Sequence, residues 1–232
     1  MELQLSEKPR NPVIIEGFPG YGLVGTIATE FLISHLSARQ IGRVKVDEVA
    51  PVVAVHDNKA VDPIGIFYDR KNNIIIMHAL TSVAGLEWKL ADEIVKLADG
   101  LKAKEIISIE GVGNPNDTDP EVNAFYIGDN KKLAGTGIKK LSEGIIMGVT
   151  GALLLKEGIK HSCIFAETHS QLPDSRAAAK IIEVLDKYLR LKIDFKPLLK
   201  QAKEFEDKLR DVLAKTQEAQ VSQEKKRQTY FG

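Results

Sequence analysis

A short β-branched run, a cluster of glycines and a helical apolar pattern follow one another between residues 12 and 36. That order commits the chain to an α/β arrangement. The stretch reads Pro12-Val-Ile-Ile-Glu-Gly-Phe-Pro-Gly-Tyr-Gly-Leu-Val-Gly25. Gly20, Gly22 and Gly25 spell G-x-G-x-x-G, the outline of a dinucleotide-binding turn in which glycines let the backbone approach a pyrophosphate at a helix N-terminus. In such a turn the first glycine follows the strand almost at once, and an acid on the next strand (Asp47 or Glu48 here) meets the ribose. In this chain Glu16 to Pro19 stand between the apolar run and Gly20, and Pro19 removes a backbone donor. The loop is too long to hold a phosphate against a sheet. Its glycines are expected instead to accept positive φ and to allow close helix–sheet contact.

Strand signals recur at 13–15, 44–46, 49–55, 64–68, 74–77, 105–109 and 163–166, and helical apolar spacing at 23–36, 86–101 and 174–191. Pro173 precedes the last of these as a start signal. Strands alternating with helices imply a mostly parallel sheet covered on both faces. Asp57-Asn58 and Lys71-Asn72-Asn73 read as turns between consecutive strands, so the sheet should be mixed. A Gly-rich region at 144–158 reads as a loop entering a short helix at 152–156. The predicted fold is a three-layer α/β/α sandwich with a mostly parallel mixed sheet over residues 1–193, its pattern beginning near residue 10.

The remainder differs. Phe195, Leu198, Leu199, Ala202, Phe205, Leu209, Val212 and Leu213 form a stripe at three-four spacing. They predict an amphipathic helix over 194–214, with Asp194 as N-cap and Pro197 in the first turn. Residues 215–232 form a polar tail, with Lys225-Lys226-Arg227 inside it and Tyr230-Phe231-Gly232 at its end. Two aromatics closing a polar stretch suggest a docking element.

Composition excludes several classes. Lys plus Arg and Asp plus Glu each total 32, so no global field draws nucleic acid or an anionic membrane. The one cysteine, Cys163, cannot form an internal disulfide, and four-Cys metal sites are excluded. The first residues lack the basic start and apolar core of a signal peptide, and no apolar run approaches the ~20 residues that cross a bilayer. A cytoplasmic protein is expected, with no cofactor and no metal.

Three expected strands end in glutamate: Glu16, Glu110 and Glu167. In a parallel sheet these carboxylates gather at the carboxyl edge, where α/β sheets place ligands. They could share a proton or hold a ligand there, with His169 beside Glu167; equally, each could accept hydrogen bonds from loop amides or a helix N-terminus. The loop 111–120 is dense in turn formers but lacks the regular acid spacing of a Ca²⁺ loop. No Gly-x-Ser-x-Gly and no phosphate-binding Gly-Lys-Thr is present.

Taken in order, Pro12 to Gly25, Glu110-Gly-Val-Gly113, the Gly148-Val-Thr-Gly151 turn with its leucines, Phe165-Ala-Glu-Thr168 and Pro173-Asp-Ser-Arg-Ala-Ala-Ala179 resemble the proteasome assembly chaperone family, in its archaeal branch. The resemblance covers about residues 10–215. It implies an α/β/α fold akin to nucleoside phosphorylases without their catalytic residues. It also implies a non-enzymatic homo-oligomer that binds proteasome core subunits or the core particle. Proteasome activators dock through a terminal hydrophobic-Tyr-any tripeptide whose carboxylate meets a lysine. Here Tyr230 stands in the hydrophobic position, Phe231 replaces the tyrosine and Gly232 is last. That exchange keeps ring burial and loses a hydroxyl hydrogen bond worth ~1 kcal/mol net. Two alternatives stand beside this reading: an enzyme acting on a small ligand at the Glu16, Glu110 and Glu167 edge, or a scaffold assembling with another protein.

Overall fold

The computed structural model describes residues 1–46, 54–56, 59–113, 122–168 and 172–200, with backbone alone at 54–56 and 59–61. The strands are β1 (Glu2–Leu5), β2 (Val13–Gly17), β3 (Arg39–Lys45), β4 (Ala54–His56), β5 (Lys59–Val61), β6 (Ile64–Asp69), β7 (Ile74–Ala79), β8 (Glu105–Gly113), β9 (Ala124–Ile127), β10 (Lys139–Lys140) and β11 (His161–Thr168). The helices are α1 (Val24–His35), α2 (Glu87–Leu101), α3 (Lys131–Ala134), α4 (Gly148–Leu154) and α5 (Ser175–Leu189).

One sheet carries the order β1-β3-β6-β7-β2-β8-β11-β9-β10. Its middle, β7-β2-β8-β11, is parallel. The flanks are antiparallel where β1, β3, β6 and β7 pair and where β9 meets β11. Every residue of β2, β6 and β7 is buried, the signature of strands covered on both faces. Alternate residues of each central strand feed opposite layers. Ile15, Ile76, Ile107 and Ile164 pack with Val24, Ala28 and Leu32 of α1 and with the buried face of α5. Ile14, Ile75, Met77 and Ile106 pack with Leu90, Ile94 and Leu97 of α2 and with Val149, Ala152 and Leu153 of α4. The result is helix, sheet, helix, as the strand–helix alternation predicts.

Local chemistry explains the joints. The β6–β7 turn forms where Lys71-Asn72-Asn73 predicts it: Asp69 Oδ1 accepts from the Lys71 amide at 2.9 Å, and Asn73 takes φ 55°. β4 and β5 pair antiparallel across the predicted Asp57-Asn58 turn, whose two residues lie outside the described ones. Most of the expected 49–55 strand also lies outside them. The short helix expected at 152–156 instead spans Gly148–Leu154 with Leu155 as its C-cap, and the ammonium of Lys156 just beyond it pairs with Asp92 of α2. Asp194 Oδ1 accepts from the Lys196 amide at 3.1 Å, the expected cap, and Leu198 is buried on the α1/α5 side. Residues 201–232, hence most of the predicted 194–214 helix and all of the tail, lie outside the described residues. Among the described residues no helix is long and apolar enough to cross a membrane.

Candidate functional site

The glycine stretch decides what the carboxyl edge of the sheet can hold. β2 extends through Gly17, two residues beyond the expected end, so only Phe18 and Pro19 precede Gly20. The next residues, Tyr21–Leu23, form a 3₁₀ turn laid across β8. Gly22 takes φ 64° and Leu23 φ 49°, and the turn is tied down by the Leu23 amide donating to Gly20 O at 3.1 Å and the Asp174 amide donating to Gly22 O at 2.9 Å. The approach is so close that a Cβ on Gly111 would lie 2.2 Å from Tyr21 O, and one on Gly25 2.5 Å from Ile109 O. Contacts of that kind leave no layer for a pyrophosphate. The glycines serve helix–sheet contact, as the sequence suggested.

Strand register brings two of the predicted acids together. Glu16 pairs with Ser108, and Glu110 lies two residues on, so both carboxyls point to the α2/α4 face. The Thr150 hydroxyl of α4 donates to Glu16 Oε1 at 3.4 Å and eases the burial of both carboxyls. Glu16 is 1% exposed, and burial pushes its carboxyl up to about 8 against the relief of the Ser108 and Thr150 hydroxyls. Burial likewise pushes Glu110 up to about 7. Near neutrality the pair therefore carries at least one proton, held within the fold. Glu167 sits on β11 and accepts from the Asn123 side chain at 2.8 Å. His169 lies outside the described residues, as do Tyr230, Phe231 and Gly232.

Sequence reasoning missed two members of this polar file, Ser108 and Thr150, which His161 joins as a packed histidine. The signal available was the two-residue spacing of Ser108 and Glu110 along one strand face. His161 Nε2 lies 2.7 Å from Ser108 Oγ and 3.5 Å from Cys163 Sγ, both buried. A serine beside a histidine suggests nucleophilic catalysis, but the geometry opposes it. Ser108 is fully buried, and His161 Nδ1 has no hydrogen-bond partner among the described residues, so no carboxylate orients the ring. Burial lowers His161 to about 4, keeping it neutral, and raises the Cys163 thiol. His78 is similar: its Nδ1 meets Thr29 Oγ1 at 2.8 Å and burial lowers it to about 4. It braces α1 against the sheet.

Glu110 also lines a cleft of about 100 Å³, with Phe18, Pro19, Val83, Val149 and Glu87 among its walls. That is well below the roughly 300 Å³ at which small-molecule sites begin. Among the described residues no group of three or more His, Cys, Asp or Glu side chains could hold a metal ion. Among the described residues at this edge, Ser108 and Cys163 are buried and neither lines the cleft, so the edge presents Glu110 beside a narrow opening.

The sequence model of the PAC2 family matches residues 14–213. PbaA of Pyrococcus furiosus, described as an archaeal homolog of proteasome-assembly chaperone, superposes with TM-score 0.82 at 33% identity, covering 99% of both chains. PbaB of the same organism, described as an archaeal proteasome activator, superposes with TM-score 0.75 at 25% identity, covering 91% of this chain and 98% of its own. An uncharacterised protein of Methanocaldococcus jannaschii is 29% identical over 209 residues, spanning 87% of this chain and 85% of that protein. The chain belongs to the PAC2 family.

Proposed function

We propose that this chain is a non-enzymatic, homo-oligomeric chaperone-like protein that binds proteasome subunits or the core particle. The observation that carries the reading is end-to-end similarity to PbaA, at 33% identity over 99% of both chains. The similarity to PbaB supports an activating variant of the same role. The packed glycine turn and the small cleft support binding over turnover. In this reading the α/β/α unit forms the assembly. The stripe beginning at Phe195 continues along it or onto a neighbouring subunit, and Tyr230, Phe231 and Gly232 contact the partner. Residues 215–229 reach at most ~50 Å when extended, enough for a tail to leave the assembly and find a groove.

The test is deletion of residues 230–232, followed by measurement of core-particle binding and peptidase stimulation. Both should fall sharply while the oligomer keeps its mass. Unchanged values would remove the tail from the mechanism.

A further inference from the structure

We infer that the cleft between α2, α4 and the carboxyl ends of β2 and β8 receives a lysine side chain presented by a protein partner. Four observations meet there. First, Glu110 lines the cleft, and its Oε2 is buried without a hydrogen-bond partner among the described residues. An orphaned carboxyl oxygen is costly, and a donor delivered from outside repays that cost. Second, the charge is one-sided. Glu87 and Glu110 both line the cleft, and no described lysine or arginine does. The Lys156 ammonium, beyond the end of α4, is engaged elsewhere, paired with Asp92 and set over the Trp88 ring at 5.4 Å to its centroid. A phosphate or carboxylate is therefore repelled, and a cation is matched.

Third, the other walls include Phe18, Pro19, Val83 and Val149, which suit a methylene stem, and the hydroxyl residues Ser82 and Thr150, which suit its charged head. About 100 Å³ admits one narrow side chain and no ring system of nucleoside size. Fourth, the surroundings favour a protein over a free amine. Trp88 follows Glu87 and Met147 precedes Gly148, both next to lining residues, and they are 57% and 74% exposed. Exposed apolar side chains beside a pocket are wasted on a small polyamine and useful to a protein surface. The site stands whether or not the tail docks.

An arriving ammonium favours ionised Glu110. The groups that sense the same change are Glu16 on β2 and Cys163 on β11; the α2 wall carries Glu87, and α4 contributes the uncharged Thr150 hydroxyl. Since burial holds Glu110 near 7, binding should release a proton and tighten several-fold between pH 6 and 8.

Trp88 is the chain's one tryptophan and follows the lining residue Glu87, which makes its fluorescence the available probe of α2 at the cleft. The full chain is titrated with Nα-acetyl-lysine methylamide, its Nε-acetylated form, butylammonium and putrescine, following Trp88 fluorescence and calorimetric heat. Saturable binding of the lysine compound and butylammonium, absent for the acetylated form, is expected. Glu110→Gln should weaken it about tenfold, the loss of a charge-assisted contact. Ala84→Leu, on an exposed wall residue, should block it without disturbing the core. Equal binding of the acetylated form, or no change in either variant, would overturn the site. Putrescine binding about tenfold tighter than the lysine compound would overturn the protein partner and make a free polyamine the occupant.

Discussion

At the scale of single residues, the buried pair Glu16 and Glu110 sets how stability depends on pH. An ordinary glutamate titrates near 4.5, whereas folding raises Glu16 to about 8. The folded chain thus keeps a proton that the unfolded chain releases above 4.5, so stability falls as pH rises through the window from 4.5 to about 8. Glu110, raised to about 7, adds a loss of the same sign over the lower part of that window. Glu16→Gln keeps the shape, removes the buried charge and should gain on the order of 3 kcal/mol over the native chain at pH 8, with little difference at pH 4.5. Thermal unfolding followed by circular dichroism across pH 4.5–8.5 checks this. A variant whose midpoint falls with pH as steeply as the native chain's would show that Glu16 does not carry the effect. The sequence revealed that Glu16 and Glu110 share an edge, because each closes a β-branched run. It could not reveal that Thr150 reaches this edge, since the apolar pattern marks a helix only from 152 and the glycines at 148 and 151 hide its first turn.

At the scale of elements, legibility followed burial. α1, α2 and α5 show 3.6-residue spacing because each buries one face, and β2, β6 and β7 show continuous apolar runs because both faces are covered. The strands that escaped notice lie at the margins. β1 contributes only Leu3 and Leu5, β10 is two lysines, and β9 alternates buried and half-buried residues over four positions. β3 was expected at 44–46 but runs Arg39–Lys45, its inward Ile41 and Val44 separated by exposed Arg43 and a register shift at Gln40 and Gly42. Edge strands need little apolar sequence and reveal little. The helix α4 defied propensity, since Gly148 and Gly151 weaken it and packing against α2 pays the difference. Capping was the most readable joint. Pro173 and Asp174 announce α5, and Asp174 Oδ1 accepts from the Arg176 and Ala177 amides at 3.0 and 2.9 Å. Asp174→Ala should cost about 1 kcal/mol in denaturant unfolding, and Asp174→Asn much less. Equal losses for both would locate the effect in the charge rather than the cap.

At the scale of the whole molecule, the fold turns a site that α/β sheets commonly use for ligands into a packed joint. In the proposed role, what remains for recognition is the narrow acidic cleft at that edge and the chain's end. A single Tyr230-Phe231-Gly232 tail lacks the usual tyrosine hydroxyl and should bind weakly. On the proposed homo-oligomer, several tails would convert each later contact into an intramolecular one, a gain on the order of a hundredfold without any new interaction. A synthetic peptide of residues 215–232 should therefore compete for core particle about a hundredfold less well than the intact chain, and the intact chain should lose that advantage when diluted to its dissociated form. Surface plasmon resonance on immobilised core particle, with peptide and intact chain compared at equal tail concentration, reads the ratio directly. Matching affinities would mean that one tail suffices and that assembly serves another purpose. No binding by the peptide, with full binding by the intact chain lacking residues 230–232, would place the contact on the α/β/α surface, where Trp88 and Met147 beside the acidic cleft are the next residues to change.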